Sequence, residues 1–171
     1  QTTERKVPKP LANIYDDVPG GASYLEQLDR LDTWGIINGI GDNLFAPDDT
    51  ATRAEAAVVL CQMLMLPVGT DPNAPHAFTD ATPENHWAWA YIDALAAAGI
   101  TVGTGGGCYS PDDPVTRAEL ATFIAKTLAT EADTKAPDLI RPLDVTSEHW
   151  AHKYVLRAVN SGTMLCWKEN I

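Results

Sequence analysis

Apolar residues return at helical spacing in three stretches of the chain, each closed by a glycine. In the middle stretch Ala88, Tyr91, Ile92, Leu95 and Ala98 recur up to Gly99, the pattern of an amphipathic helix with a stop signal. Leu25, Leu28 and Leu31 leave the same stripe before Gly35, and Trp150, Tyr154, Val155 and Val159 leave it before Gly162. Two further apolar faces start at the string Thr-Arg-Ala-Glu. One runs through Ala56, Val59, Leu60, Met63 and Leu64, the other through Leu120, Phe123, Ile124 and Leu128. Gly- and Pro-rich stretches, Gly39 to Asp49 and Gly103 to Asp113, separate the paired helices. The pattern predicts an all-α chain of helix-loop-helix units. Trp87 and Trp150 stand where apolar helices open and are expected in the core.

The units are copies of one another. Thr52 to Glu55 and Thr116 to Glu119 spell the same string 64 residues apart, and the same offset maps Asp16 to Asp80, Gly35 to Gly99, Gly39 to Gly103 and Phe45 to Tyr109. A third copy shows Asp144, Trp150 and Gly162 but no third Thr-Arg-Ala-Glu before Ile171. A two-helix unit buries too little apolar surface to stand alone, so the copies are expected to pack around a common axis. The expected organisation is a tail at 1–13, repeats at 14–66 and 78–130, an incomplete repeat at 143–171, and linkers at 67–77 and 131–142. Ser23 stands where the other copies have Trp, so the first is expected to pack differently. The start at Gln1, with no initiator Met or signal-peptide pattern, reads as a processed chain or an excised fragment.

The repeated string has its own physics. Thr followed three residues later by Glu is a capping box, which gives Thr52, Glu55, Thr116 and Glu119 a sufficient structural role. Arg53 and Arg117 are different, because a cation in the first helical turn opposes the helix dipole. Two readings stay open: an ion pair with an acidic neighbour such as Asp49 or Asp113, or an anion site built from the guanidinium and the free helix N–H groups.

Charge narrows the partners. A net charge of -11 and 12 basic residues against 23 acidic ones argue against a nucleic-acid surface. An anionic ligand would have to be held by a few placed cations. No apolar run is long enough to cross a bilayer, so no membrane insertion is expected. Cys61, Cys108 and Cys166 contain no C-x-x-C pair and leave the redox compartment open. His149 and His152 lack further ligands at zinc spacing, and Asp42, Asp48 and Asp49 lack the calcium-loop pattern, so neither metal nor cofactor is expected. No carboxylate pair or Cys-His pair is marked out for catalysis. The echo of His86-Trp87 in His149-Trp150 points to a structural role.

The strings Phe78-Thr79-Asp80, Trp87-Ala88, Ile92, Gly99-Ile100, Gly103, Tyr109-Ser110-Pro111-Asp112 and Thr116 to Glu119 resemble the surface-layer homology family. Asp16, Gly35-Ile36-Ile37, Gly39, Phe45, Pro47-Asp48 and Thr52 to Glu55 carry the same resemblance in the first copy. The resemblance implies a pseudo-threefold, three-lobed helical bundle that anchors a bacterial surface protein, outside the cell, to secondary cell-wall polysaccharide, often pyruvylated. It makes Arg53 and Arg117 the ligand residues, with Gly39 and Gly103 letting the sugar approach the backbone and Thr52, Thr116, Glu55 and Glu119 at the same helix starts. Trp34 is open to two roles, stacking on a sugar or simple packing. With Cys166 at the loop-glycine position and no third string, at most two grooves are expected to be competent. Arg53→Ala and Arg117→Ala are expected to weaken wall binding with the helical fold largely kept. The alternatives are a protein–protein assembly module, including a homo-oligomer completed through the unfinished third repeat, and the attachment part of a surface hydrolase or other fused domain.

Overall fold

The computed structural model describes residues 15–127, 142 and 144–164. Among these residues are five α-helices and only isolated bridges in place of strands: α1 Leu25–Thr33, α2 Arg53–Met63, α3 Trp89–Ala97, α4 Arg117–Thr127 and α5 His152–Asn160. The chain divides into two compact units, one ending at Asp49 and the other beginning at Thr50.

The first unit holds α1 and the loop behind it. Leu25 and Leu28 are buried with Tyr15 and Val18. The glycine stop works as expected. Gly35 takes φ +66°, its N–H reaches the Asp32 carbonyl at 2.8 Å, and the Ile36 N–H reaches Leu31 at 2.9 Å. These are the two bonds of a Schellman cap. Asp17 accepts the Phe45 and Ala46 amides at 2.9 and 2.6 Å, and the Phe45 amide is the main cause of its lowered pKa. Tyr15 packs on Phe45 with ring centroids 5.4 Å apart. Its phenol donates to Asp32, and burial followed by that carboxylate pushes its pKa to about 12.

The second unit is built of two helix pairs, α2 on α3 and α4 on α5. Each pair joins the second helix of one repeat to the first helix of the next, so the main helix contacts cross the repeat boundaries. Tyr109, Ile92 and Leu95 centre the larger core cluster, with Ala54, Ala57, Leu60 and Cys61 from α2. Ala121, Ala151, Val155, Ala158 and Val159 form the smaller cluster between α4 and α5. Burial pushes the Cys61 thiol to about 11, the state of an inert core cysteine. Gly99 ends α3 with the same cap as Gly35, through Gly99 N–H to Ala96 and Ile100 N–H to Leu95. At α2 the equivalent left-handed position is Met65, at φ +50°.

Three expectations are corrected. The buried face of α2 runs through Arg53, Ala54, Ala56, Ala57, Leu60 and Cys61, so Ala56 and Leu60 are inward as expected, whereas Met63 and Leu64 are exposed. The small Ala54 and Ala57 face the core beside Leu60 and Cys61 and let the helix sit close. Trp87 and Trp150 are 64% and 60% exposed, not core. Both precede the N-caps Ala88 and Ala151, so neither lies on the helix face, and the two alanines are fully buried in their place. Asp17, not Asp16, is the counterpart of Asp80, because Asp80 accepts the Tyr109 and Ser110 amides as Asp17 accepts Phe45 and Ala46. The first copy is therefore offset by 63 at its aromatic-and-Asp start and by 64 from the helix onward. Burial opposes the ionised form of Asp80, yet the amides and His86 outweigh it and lower its pKa.

The segment before Phe78 is clipped to α3. Asp93 accepts the Ala77 amide at 2.8 Å and meets His76 Nδ1 at 2.8 Å, while Trp89 packs edge-on against the imidazole at 5.2 Å. The Asp93 hydrogen bond raises the His76 pKa above its ordinary value, with burial opposing and Glu84 adding to the rise. A raised folded pKa gives stability that is full below about pH 6.5 and is lost as pH climbs through the higher folded value. Thermal unfolding from acid to mildly alkaline pH is expected to show Tm falling over that window, and His76→Gln to flatten the fall. An unchanged pH profile in the variant would exclude the clip.

Candidate functional site

Both Thr-Arg-Ala-Glu strings form the capping boxes their spacing predicts. Thr52 Oγ1 accepts the Glu55 amide at 3.2 Å while Glu55 accepts the Thr52 amide at 2.7 Å. Thr116 and Glu119 repeat this at 3.2 and 2.9 Å. The caps fix where α2 and α4 begin, and hence where the two arginines lie.

Arg53 is 3% exposed. Its Nε donates to the Tyr109 carbonyl at 2.8 Å and its Nη1 pairs with Glu119 Oε1. The guanidinium carbon lies 4.6 Å from the Tyr109 ring centroid and 5.8 Å from that of Phe123. Tyr109 answers by donating its hydroxyl to the Arg53 carbonyl at 2.9 Å, and burial pushes its phenol well above the ordinary range. The ion pair thus forms with neither Asp49 nor Asp113. Asp113 contributes only its backbone carbonyl, to the Arg53 N–H at 2.9 Å. Glu119 serves two helices at once, capping α4 with Oε2 and holding the arginine of α2 with Oε1. These contacts offset the dipole penalty of a cation in the first turn of α2.

Arg53 and Glu119 sit in the wall of an open groove of about 340 Å³. One side is the loop Ile100 to Thr104, including Gly103, and the other is the α4 stripe of Glu119, Thr122, Phe123 and Lys126, with Trp150 also lining it. Thr122 is buried and donates to the Ala118 carbonyl at 2.8 Å. Thr104 donates to the Cys108 carbonyl at 3.3 Å, and Thr101 Oγ1 accepts the Gly103 amide at 3.2 Å. The lining therefore combines threonines, backbone, one compensated ion pair and one lysine with the apolar side chains of Ile100, Val102, Phe123 and Trp150. Such a mixture sets a few polar anchors among apolar faces, a combination that a ligand with hydroxyl edges and C–H faces can use.

Of the residues singled out in the sequence, the groove gathers Arg53, Gly103 and Glu119. Thr116 caps α4 beside it and Arg117 is exposed at the same helix start. Thr52 and Glu55 are the α2 cap. Gly39 and Trp34 belong to the first unit, where Trp34 is 67% exposed as the C-cap of α1. The two loop glycines are contacted by the chain itself. A Cβ on Gly39 would lie 2.5 Å from Tyr15 Cε1, and one on Gly103 would lie 2.5 Å from Phe78 Cε1. Sequence reasoning missed Lys126, Thr122 and Trp150. Glu119, Thr122 and Lys126 recur at i, i+3 and i+7 on α4, a polar stripe that marks one helix face. His86 and His149 have the structural role their echo suggests, each accepting through Nδ1 the amide of the following N-cap alanine at 3.1 and 3.2 Å. Among the described residues no cluster of His, Cys, Asp or Glu could hold a metal ion, and no helix is long and apolar enough to cross a membrane.

The family profile of the S-layer homology domain matches residues 14–57 and 77–121, just over half of the chain. S-layer protein EA1 of Bacillus anthracis is 30% identical over 148 residues, covering 86% of this chain and 17% of the relative. The S-layer protein of Bacillus licheniformis is 32% identical over 150 residues, covering 86% and 16%. A cellulosome-anchoring protein of Acetivibrio thermocellus is 30% identical over 135 residues, covering 74% and 29%. The chain spans less than a third of the length of each.

Proposed function

The chain belongs to the S-layer homology domain family, and on that premise we propose that it holds a bacterial surface protein non-covalently to an acidic, pyruvylated secondary cell-wall polysaccharide. It acts at the bacterial cell surface as an anchoring module. The groove carries the reading, because it offers hydroxyls, backbone and a few placed charges in a chain whose overall charge of -11 would otherwise repel an anion. The names of the S-layer and cellulosome-anchoring relatives support attachment as the task. The repeats are proposed as 14–66, 78–130 and 143–171, and the rest of the surface protein is the cargo. Arg53, Glu119 and Gly103 shape the groove. Arg117 and Thr116 present a second helix start, for which Thr52 and Glu55 are the counterpart. Gly39 keeps the first copy of the loop tight, and Trp34 offers an exposed ring for a sugar face. No catalytic step is assigned to these residues.

The test is co-sedimentation of the folded chain with purified wall sacculi, before and after hydrofluoric acid strips the secondary polysaccharide. Binding is expected to the untreated sacculi and to be lost from the stripped ones. Equal binding to both would overturn the polysaccharide reading. No binding to either would move the function to protein–protein assembly.

A further inference from the structure

We propose that Asn38 is a covalent modification site, an asparagine that reacts with its own backbone and loses its side-chain amide, and that the Tyr15 hydroxyl holds it unreacted while the first unit is folded. Asn38 is the one asparagine of the chain followed by glycine, and it is exposed. A following glycine has no Cβ to hinder the approach, so the Gly39 nitrogen can reach the Asn38 side-chain carbon. The bond from the Gly39 nitrogen to Cγ forms, the Cγ–Nδ2 bond breaks, and ammonia leaves with the Gly39 proton. Water then opens the cyclic imide at either carbonyl, leaving aspartate or isoaspartate at position 38 with an added negative charge.

In the folded unit the nucleophile is occupied. The Gly39 N–H donates to the Tyr15 phenol oxygen, and that phenol donates in turn to Asp32 at 2.5 Å. Tyr15 is buried, so the pair is shielded from water. The Ile40 N–H is bound to the Leu44 carbonyl at 2.8 Å, which pins the chain on the other side of Gly39. Attack needs the Asn38–Gly39 peptide to turn and its nitrogen to give up a proton, and both require the Tyr15 bond to open first. The loop does not need this cluster in order to fold. In the second copy Phe78, Ala96 and Val102 stand where Tyr15, Asp32 and Asn38 stand, and the loop glycine keeps the same contacts. The hydroxyl, its carboxylate and the reactive asparagine thus occur together in one copy and are all absent from the other. Isoaspartate would add a methylene to the main chain beside Gly39. A Cβ there would already lie 2.5 Å from Tyr15 Cε1 and closer still to the Leu44 carbonyl oxygen, so the modified loop is not expected to repack.

The test is the rate at which Asn38 turns to acid at mildly alkaline pH, followed by mass spectrometry of its peptide. Unfolded in guanidinium chloride, the chain is expected to convert at Asn38 ahead of its other asparagines. Folded wild type is expected to convert far more slowly, and folded Tyr15→Phe about fivefold faster than wild type at an unchanged melting temperature. Asn38→Val, which copies the second repeat, is expected to show no conversion at that position. Chain aged while unfolded and then refolded is expected to melt lower than fresh chain. No conversion at Asn38 in the unfolded chain overturns the site. Folded wild type as fast as unfolded chain, or Tyr15→Phe no faster than wild type, overturns the role of Tyr15. If Tyr15→Phe does not fold, hydrogen exchange at the Gly39 amide of wild type decides. Slow exchange supports the Tyr15 bond as the guard, and exchange at the rate of an open loop overturns it. Aged and fresh chains that melt alike would overturn the failure of the modified loop to repack.

Discussion

Replacing Arg53 with alanine is expected to lower the unfolding free energy by about 2–4 kcal/mol. The substitution deletes a guanidinium that is 3% exposed and that ties α2 to α4 and to the Tyr109 backbone. It strands the Tyr109 carbonyl, removes the charge facing Glu119, and opens space against the Tyr109 and Phe123 rings. Full loss of a buried pair costs about 3–5 kcal/mol. The Glu119 side chain keeps 21% exposure, so water recovers part of its solvation and the expected figure is lower. Arg53→Lys is expected to fall between wild type and alanine, because an ammonium on a flexible stem cannot reproduce the Nε and Nη1 bonds together. Urea denaturation followed by far-ultraviolet circular dichroism measures all three. A loss under about 0.5 kcal/mol for alanine would mean that the pair does not hold the two helices together.

This result changes how a binding assay on Arg53 is read. The sequence leads one to expect that Arg53→Ala keeps the helical fold and loses only the ligand. With the side chain buried between repeats, the same substitution lowers stability and reshapes the groove wall together. Lys126 and Trp150 line the groove without belonging to a core cluster, so substitutions there test the groove apart from the fold.

The features legible in the sequence are those set by neighbours in the chain. The capping boxes at Thr52 and Thr116 and the glycine stops at Gly35 and Gly99 depend on contacts three to six residues long, and the residue types suffice to specify them. The helix count follows from the same local signals. What escaped depends on distant partners. Arg53 and Glu119 are 66 residues apart, and a search for carboxylates close in sequence looks to Asp49 and Asp113 instead. The face of α2 was legible only in part, at Ala56 and Leu60, because its helix is apolar nearly all round and hydrophobicity alone does not say which side is inward. The tryptophans escaped because a two-residue difference in where α3 and α5 begin moves them off the helix face altogether. Lys126 could have been found as a groove residue from the polar stripe that Glu119, Thr122 and Lys126 leave on α4.

Gly103→Ala is expected to be comparably damaging, lowering stability by about 2–5 kcal/mol, for reasons that have nothing to do with the ligand. Gly103 has φ +75°, where an L-residue with a Cβ pays about 1–2 kcal/mol. The new Cβ would also lie 2.5 Å from Phe78 Cε1 and closer still to the Cys108 carbonyl oxygen. Phe78 cannot withdraw easily, because it is 6% exposed and packed on Tyr109 with ring centroids 5.5 Å apart. Relief would have to come from the backbone of the loop, whose Cys108 carbonyl also accepts the Thr104 amide at 2.9 Å. Gly106 is the control: at φ +61° it shares the left-handed backbone, but a Cβ there meets nothing within 4 Å, so Gly106→Ala is expected to cost about 1–2 kcal/mol. The difference between the two alanines, measured by urea denaturation, isolates the steric part. Equal losses would mean that the loop yields around Phe78. A loss confined to Gly103 would show that this glycine is required by the protein's own packing, and that the groove inherits its wall from that packing.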